Sequence, residues 1–310
     1  MSALRGDSSA MQQLRARIAQ LAPLPTPVLL LGETGTGKSL AARELHRLSP
    51  RSAQPFAVVD CGALAPSLAE SELFGAERGA FTGAEARRAG VLERAGAGTL
   101  LLDEVGELPL ALQPRLLRAL GERRFERLGG GATLALGARV VAATNVALPQ
   151  AVARGEFRAD LFHRLAVVAL TVPPLRERRE DLPALVHAGL ARAAEALALA
   201  SPAFDAAFVA ALAGYAWPGN VRELEHALER LLALGAPQRL GASDARALLA
   251  ELASPARAAL VEASPARAAL ALAAARGNVS AAARDLGLPR TTYRRRLARE
   301  RKAACGVDER

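Results

Sequence analysis

The chain has very few residues that could build a disulfide framework or a metal site. Only Cys61 and Cys305 are cysteines among its 310 residues, and they lie far apart without metal-ligand spacing. The histidines also lack the spacing of metal ligands and are interpreted as structural: His46, His163, His187 and His226. This cysteine usage indicates a reducing compartment, and we expect a cytoplasmic protein.

Long apolar runs are lacking as well. The composition is 51% apolar and 23% charged, which is typical of a globular protein, and the length allows two or three domains with a sizeable core. Arg192 and Glu195 interrupt the longest apolar stretch, so it is unsuited to crossing a bilayer. The N-terminus has no apolar signal segment. We therefore expect no membrane role.

The net charge of +9 is unevenly distributed along the chain. Residues 276–302 contain nine basic and two acidic residues, and so carry most of the excess. Nucleic acid is the commonest partner of such a block, and a solvated basic tail is the alternative.

A glycine-rich loop follows the apolar run 28–31 and precedes a stretch with helical spacing at 40–45. The loop matches G-x-x-x-x-G-K-[ST], in which backbone N–H groups and the helix N-terminus face phosphate oxygens. Lys38 is expected to bridge the outer phosphates, and Ser39 to bind Mg²⁺. The pattern predicts a nucleotide site for ATP or GTP formed by Gly32, Glu33, Thr34, Gly35, Thr36, Gly37, Lys38 and Ser39.

Two carboxylates, Asp103 and Glu104, end the apolar run 99–102. The carboxyl edge of a parallel sheet would bring them beside the phosphate loop. Asp103 then suits a Mg²⁺ partner, and Glu104 suits a base that orients the attacking water. Carboxylates that only cap or solvate a strand end are the alternative.

Further apolar runs at 56–59 and 139–143, separated by helix-like stretches, predict a parallel α/β sheet. After Pro174 the sequence becomes rich in Ala and Leu with helical periodicity, which predicts a helical lid. The predicted division is an α/β subdomain, a lid, a linker and a small all-α domain at residues 1–173, 174–250, 251–263 and 264–304.

The basic block has the pattern of a helix-turn-helix. A short helix is predicted from about Ser280, a turn at 287–288, and a basic helix from Pro289. Early turns of such a second helix reach base edges in double-stranded DNA. The candidate DNA-binding residues are Arg290, Thr291, Arg294 and Arg295.

Five segments together resemble motifs of the bacterial enhancer-binding proteins, which are AAA+ ATPases that act on sigma-54 polymerase. The segments are 70–75, 79–84, 98–104, 173–178 and 217–224. The basic block resembles the Fis-type DNA-binding domain of the same family. The resemblance implies an AAA+ P-loop ATPase with a parallel sheet and helical lid, a small helix-turn-helix domain, and ATP with Mg²⁺.

The resemblance also implies roles for single residues. Phe81 and Thr82 match the tip of the loop that contacts sigma-54, Asn145 matches a first sensor of nucleotide, and Arg222 matches a second sensor. An ordinary flexible turn is the alternative for residues 79–84.

Arg158 and Arg164 match arginines that reach the nucleotide of a neighbouring subunit. A guanidinium supplied across an interface neutralises charge on the transferred phosphoryl group, so hydrolysis requires a homo-oligomeric ring, with six subunits expected. Surface ion pairs are the alternative for both. The chain departs from many relatives at Ser39, where they have Glu, at Asp60, where they have Asn, and at 162–163, where they have paired tyrosines.

The expected function is ATP-dependent activation of transcription. Subunits bound to DNA upstream of a promoter would remodel the closed complex of sigma-54 RNA polymerase into an open complex. Only 27 residues precede the first predicted strand, so we expect control by an anti-activator or a partner activator in trans, or by expression level. The alternatives are a DNA-binding regulator that uses the ATPase fold for oligomerisation alone, and an AAA+ remodeller of the replication or chaperone type.

Overall fold

A computed structural model describes residues 4–64, 68–80, 86–253 and Val279. The chain divides into two compact units. The first is Met1–Ala203 with Ala213–Arg239, and the second is Phe204–Leu212 with Leu240–Arg310.

The strands of the described residues are short, and most of them belong to the first unit. They are β1 (Val28–Leu31), β2 (Phe56–Asp60), β3 (Gly75–Ala76), β4 (Arg88–Ala89), β5 (Thr99–Asp103), β6 (Arg124–Glu126), β7 (Thr133–Ala135), β8 (Arg139–Thr144), β9 (Val168–Thr171), β10 (Ala203–Phe204) and β11 (Arg239–Leu240). The central sheet is parallel and has the order β2-β5-β8-β1-β9. The predicted parallel α/β sheet is thereby confirmed.

The α-helices of the described residues surround this sheet or follow it. They are α1 (Ser9–Leu21), α2 (Lys38–Arg47), α3 (Ala69–Phe74), α4 (Val91–Arg94), α5 (Gln113–Glu122), α6 (Leu148–Ala153), α7 (Ala159–Leu165), α8 (Leu182–Leu197), α9 (Ala206–Ala213), α10 (Asn220–Ala233) and α11 (Ala242–Leu252). Short 3₁₀ turns lie at Val105–Glu107, Leu110–Leu112, Leu175–Glu177 and Arg179–Asp181. Helices α8 and α10 pack on each other and form the lid within the first unit.

The strands are continuously apolar because both faces of the sheet are covered. Leu100 and Leu102 of β5 belong to one buried cluster, whereas Leu101 between them belongs to the cluster on the opposite face. Alternate residues of a strand point to opposite faces, so a sheet packed on both sides needs apolar residues at every position. Apolar runs were therefore a sufficient signal for the interior strands β1, β5 and β8, and the run 56–59 also predicted the edge strand β2.

The edge strand β9 was missed by the sequence analysis. Leu170 is its buried residue, whereas Ala169 and Thr171 are exposed. Residues 166–170 are all apolar, like the runs that predicted the other strands. The signal for β9 was therefore present in the sequence, but no strand was predicted there.

The second unit is small in its described part. Asp205 caps α9 by accepting a 2.8 Å hydrogen bond from the backbone N–H of Phe208, whose ring lies 6.3 Å from that of Phe204. The N–H of Gly241 donates to Asp244 at the start of α11. None of the described helices has the length and hydropathy needed to cross a bilayer.

Truncation in the interior strand β5 tests the two-sided core. Leu101→Ala is expected to cost about 2–5 kcal/mol of unfolding free energy, because it opens a cavity in a fully buried layer. The control is Val58→Ala, because Val58 lies on edge strand β2 and is 41% exposed. This change should cost less than about 1 kcal/mol. Urea denaturation followed by circular dichroism measures both, and equal losses would contradict this packing.

Candidate active site

The phosphate loop connects β1 to α2, and its backbone conformation requires glycine. Gly32, Gly35 and Gly37 have positive φ values of 156°, 82° and 106°, and residues with a Cβ rarely adopt this backbone conformation. A Cβ on Gly35 would also lie 2.2 Å from the carbonyl oxygen of Gly219. The loop therefore has the curled backbone of an anion cradle, and it lies directly against the start of lid helix α10.

Four predicted side chains meet at the carboxyl edge of the sheet. Lys38 Nζ donates to the carbonyl oxygens of Gly32 and Glu33 at 3.0 and 3.2 Å. The same nitrogen lies 3.6 Å from Glu104 Oε1. Ser39 Oγ donates to Asp103 Oδ2 at 2.8 Å. A hydroxyl and a carboxylate oxygen this close are the ligand types that Mg²⁺ prefers, so the chain's residues fit that ion.

Asn145 connects the carboxylates to the phosphate loop. Its backbone N–H donates to Glu104 Oε2 at 3.1 Å, and its side-chain Nδ2 donates to Thr34 Oγ1 at 2.7 Å. Asn145 Oδ1 is buried and lacks a hydrogen-bond partner among the described residues. Glu104 itself has φ 49°, a conformation that costs a residue with a side chain about 1–3 kcal/mol. Such strain is typical of residues held in place for chemistry.

Lys38, Ser39, Asp103 and Glu104 line a cavity of about 400 Å³ within the first unit, whereas Asn145 and Thr34 are not among its lining residues. Its wall is more basic than acidic, with Arg5, Lys38, Arg178, Arg192 and Arg222 against Asp103, Glu104 and Glu225. Its apolar lining residues are Leu4, Met11, Leu185, Ala188 and Val221. A cavity lined by both basic and apolar side chains suits a ligand with phosphates and a flat ring system.

Residues near the N-terminus form part of this wall and were not predicted. Ser8 donates from its backbone N–H and its hydroxyl to Asp181, both at 2.8 Å. Arg178 is buried and donates to the carbonyl oxygen of Thr36 at 2.8 Å, and desolvation lowers its pKa. These contacts hold Leu4 and Arg5 at the cavity. Sequence spacing gave no signal for them, because about 170 residues separate Ser8 from Asp181.

Glu33, in the phosphate loop, binds two residues of the lid side. Arg176 donates to both of its carboxylate oxygens, at 2.7 and 2.6 Å, and Asn220 Nδ2 donates to Oε2 at 3.1 Å. Mainly because of the Arg176 hydrogen bonds, and then that of Asn220, the pKa of Glu33 falls from 4.5 to about 2. Arg176 and Asn220 lie in the segments 173–178 and 217–224, which carry the family resemblance, but their contacts were not predicted.

Comparison with known families agrees with this architecture. The Sigma-54 interaction domain matches residues 4–171, the AAA+ ATPase lid domain matches residues 176–260, and the Fis family of bacterial regulatory proteins matches residues 269–299. The chain belongs to the sigma-54-dependent transcriptional activators. Its AAA+ P-loop ATPase fold, with a parallel sheet and a helical lid, and its Fis-type DNA-binding domain are those predicted.

Relatives and solved structures show how far the similarity extends. Transcriptional regulatory protein ZraR from Klebsiella oxytoca is 44% identical over 303 residues, which cover 95% of this chain and 68% of ZraR. The Nif-specific regulatory protein from Herbaspirillum seropedicae is 51% identical over 225 residues, which cover 73% of this chain and 42% of that protein. NtrX from Brucella abortus in complex with ATP has a TM-score of 0.73 at 35% identity, covering 96% of this chain and 69% of NtrX.

In this activator, Arg158 and Arg164 lie apart from the cavity. Arg158 forms an ion pair with Asp160 at 2.7 Å, and Arg164 donates to the carbonyl oxygen of Leu120 at 3.0 Å. Neither arginine is among the described residues that line the cavity. Their predicted action on a neighbouring subunit stays a prediction.

The base of the predicted sigma-54 loop is held by a buried arginine. Strands β3 and β4 pair antiparallel and bracket residues 77–87. Arg127 is 6% exposed and donates to Glu77 at 2.6 Å and to Glu93 at 2.9 and 2.7 Å. These hydrogen bonds raise the pKa of Arg127 and lower that of Glu93. This network was not predicted, because its members are 34 and 50 residues apart from Arg127.

The predicted contact residues at the loop tip, Phe81 and Thr82, lie outside the described residues. The predicted DNA-binding residues also lie outside them: Arg290, Thr291, Arg294 and Arg295.

Replacing Glu33 with glutamine tests the ion pair through pH. Because folding lowers the pKa of Glu33, its ionised form stabilises the fold above about pH 4.5, and this contribution is lost as the pH falls toward 2. The pair is partly exposed, so we expect about 1 kcal/mol or less. The difference in unfolding temperature between wild type and Glu33→Gln should be constant from about pH 8 to 6 and shrink below about pH 4.5.

Arg176→Gln is the matched control, since it removes the other half of the same pair and should show the same pH trend. If the difference in unfolding temperature between wild type and Glu33→Gln persisted unchanged below about pH 4.5, the ionised pair of Glu33 and Arg176 would not be its cause.

Proposed function

We propose that this chain is an ATP-dependent transcriptional activator that remodels closed complexes of sigma-54 RNA polymerase into open complexes. The observation that carries the proposal is the meeting of Lys38, Ser39, Asp103 and Glu104 at one sheet edge. A chain of this family that kept the fold for assembly alone would have no need of this arrangement. The proposal extends the family membership to a mechanism for this chain.

The cavity supports ATP as the ligand. The phosphates would lie on the curled loop, where backbone N–H groups, Lys38 and the N-terminus of α2 supply positive potential. Ser39 and Asp103 would hold Mg²⁺, which neutralises phosphate charge when bound. The apolar wall around Leu4 and Leu185 would cover the base. NtrX, which shares the fold, has been solved with ATP.

Hydrolysis then follows from the position of Glu104. Its carboxylate is oriented by Lys38 and by the backbone N–H of Asn145, so it can accept a hydrogen bond from a water beside the outer phosphate. Arg222 on the lid would bind phosphate from the other side. The remaining charge would be neutralised by Arg158 and Arg164 of a neighbouring subunit in a ring of six, since their positions in this chain are away from its own cavity.

The sigma-54 loop is proposed to respond to the nucleotide through the core. Val105, next to Glu104, belongs to the same buried cluster as Phe74 and Val91, which flank the base of the loop. A close-packed core shifts between discrete arrangements instead of deforming continuously, so a change at Glu104 would reach the Arg127 network. Phe81 and Thr82 would then engage sigma-54.

Upstream DNA would be bound through the Fis-type domain. Arg290, Thr291, Arg294 and Arg295 fall within the matched residues 269–299 and are proposed to contact the double helix. A regulator that works on DNA and polymerase would act in the cytoplasm, and an anti-activator or partner activator would control it in trans.

Open-complex formation tests the proposed function directly. Purified sigma-54 polymerase, a sigma-54 promoter with its upstream site, ATP and this protein are expected to give open complexes, detected by permanganate footprinting. Thr82→Ala should abolish them and leave ATP hydrolysis and DNA binding within about twofold of wild type, because it alters only the loop tip. If both proteins hydrolyse ATP and neither opens the promoter, the ATPase fold serves another purpose such as oligomerisation.

Mixing two inactive variants tests the shared site. Arg158→Ala and Glu104→Gln should each lower the turnover rate by about a thousandfold or more, because each removes charge stabilisation or water orientation. In a one-to-one mixture, about a quarter of the interfaces would combine an intact Glu104 with an intact Arg158, and activity should return to about that fraction.

Arg17→Ala, at an exposed arginine of α1, is the control and should stay active alone and in mixtures. A mixture of the two inactive variants that stays inactive would place Arg158 outside the shared site.

A further inference from the structure

The side chain of Glu33 poses an electrostatic problem. A carboxylate in a loop built to hold phosphates would repel them if it faced the cavity. In this chain its two oxygens instead face the parallel N–H groups of Arg176, and Oε2 also accepts from Asn220. The hydrogen bonds from Arg176 and Asn220 lower the pKa of Glu33, so it stays ionised well into acid. The charge of Glu33 is therefore paired with Arg176 and Asn220 and does not face the cavity.

Asn220 ties three segments together. It is fully buried, has φ 54°, and is the first residue of α10. Its Nδ2 donates to Glu33 Oε2 and to the carbonyl oxygen of Thr34, both at 3.1 Å, and its Oδ1 accepts from the N–H of Leu175 at 2.8 Å. An amide is required, because a carboxylate could not donate the first two hydrogen bonds.

The same contacts set the position of a cavity arginine. Arg222 lies two residues after Asn220 on α10, and its backbone N–H donates to the carbonyl oxygen of Gly35 at 3.4 Å. Gly35 and Gly219 approach so closely that there is no room for a side chain between them, and α10 cannot move closer to the phosphate loop. The hydrogen bonds of Glu33 with Arg176 and Asn220 keep α10 from moving away, so the distance between α10 and the loop is fixed in both directions.

We propose that Glu33, Arg176 and Asn220 form a latch that holds α10 against the phosphate loop and thereby positions Arg222 for the nucleotide. The latch residues are positioning residues and make no side-chain contact with substrate. The inference rests on the proposed function in one respect, that ATP is the ligand of the cavity.

Nucleotide affinity and its coupling to Arg222 test the latch. In the full chain, Glu33→Gln and Arg176→Gln are each expected to raise the Kd for ATP about three- to fivefold, measured by calorimetry with Mg²⁺, because Arg222 loses its position. Arg176→Lys keeps the charge but loses the paired hydrogen bonds, so its Kd should lie between that of wild type and that of Arg176→Gln. Arg118→Gln breaks an exposed ion pair with Glu122 and should leave the Kd unchanged.

A double-mutant cycle separates positioning from a direct charge effect. If Glu33 acts through Arg222, Glu33→Gln should weaken binding by less than about twofold in an Arg222→Ala background. Multiplied effects in the double variant would overturn the latch. Tighter ATP binding by Glu33→Gln would also overturn it, since that result would mean that the carboxylate repels the phosphates directly.

A structural readout keeps the latch testable without nucleotide. Glu33→Gln should speed amide hydrogen exchange at the start of α10, around residues 220–224, by about three- to fivefold, and leave the central strand β8 unchanged. Unchanged exchange at α10 would overturn the latch. A wild-type chain that bound no ATP but showed the faster exchange in the variant would instead overturn the proposed function alone.

Discussion

The close approach of two backbones, at Gly35 and Gly219, is the constraint on which the site depends. A Cβ on Gly35 would lie 2.2 Å from the Gly219 carbonyl oxygen, so the phosphate loop and the lid helix can meet only through glycine. That contact brings Asn220 within hydrogen-bonding distance of Glu33 and Thr34, and it turns Arg222 toward the cavity. The sheet supplies the other wall, where Asp103 and Glu104 end β5.

Two ion-pair networks of different burial support the two ends of the proposed mechanism. Arg127 is buried, and its carboxylate partners Glu77 and Glu93 are only partly exposed, so losing either partner would leave a poorly solvated charge. The pair of Glu33 and Arg176 is about 40% exposed on both sides and is worth much less to stability. The first network suits a fixed base for the sigma-54 loop. The second suits a contact that can open and close at low cost.

Much of the fold could be predicted, because a sheet covered on both faces imposes apolar residues at every position of its central strands. The interior strands β1, β5 and β8 were predicted for this reason. The edge strand β2 was also predicted from its apolar run, whereas no strand was predicted at β9, although residues 166–170 are all apolar. The phosphate loop and its carboxylates were predicted from residue type and order. The contacts of Arg127, Ser8 and Arg176 were not, since nothing in local sequence tells an arginine which carboxylate, tens of residues away, it will meet.

The sequence by itself determined which residues are able to do chemistry. The glycines, Lys38 and Ser39 are adjacent in the chain, so the local backbone alone arranges them, and the run before Asp103 places that carboxylate at a strand end. The tertiary structure decided which of these groups meet and what holds them. Ser39 meets Asp103, and Asn145 meets Glu104, only because parallel strands bring their carboxyl ends to one edge. The lid reaches the loop only because folding brings residues 33 and 220 together, a long-range contact that no local pattern encodes.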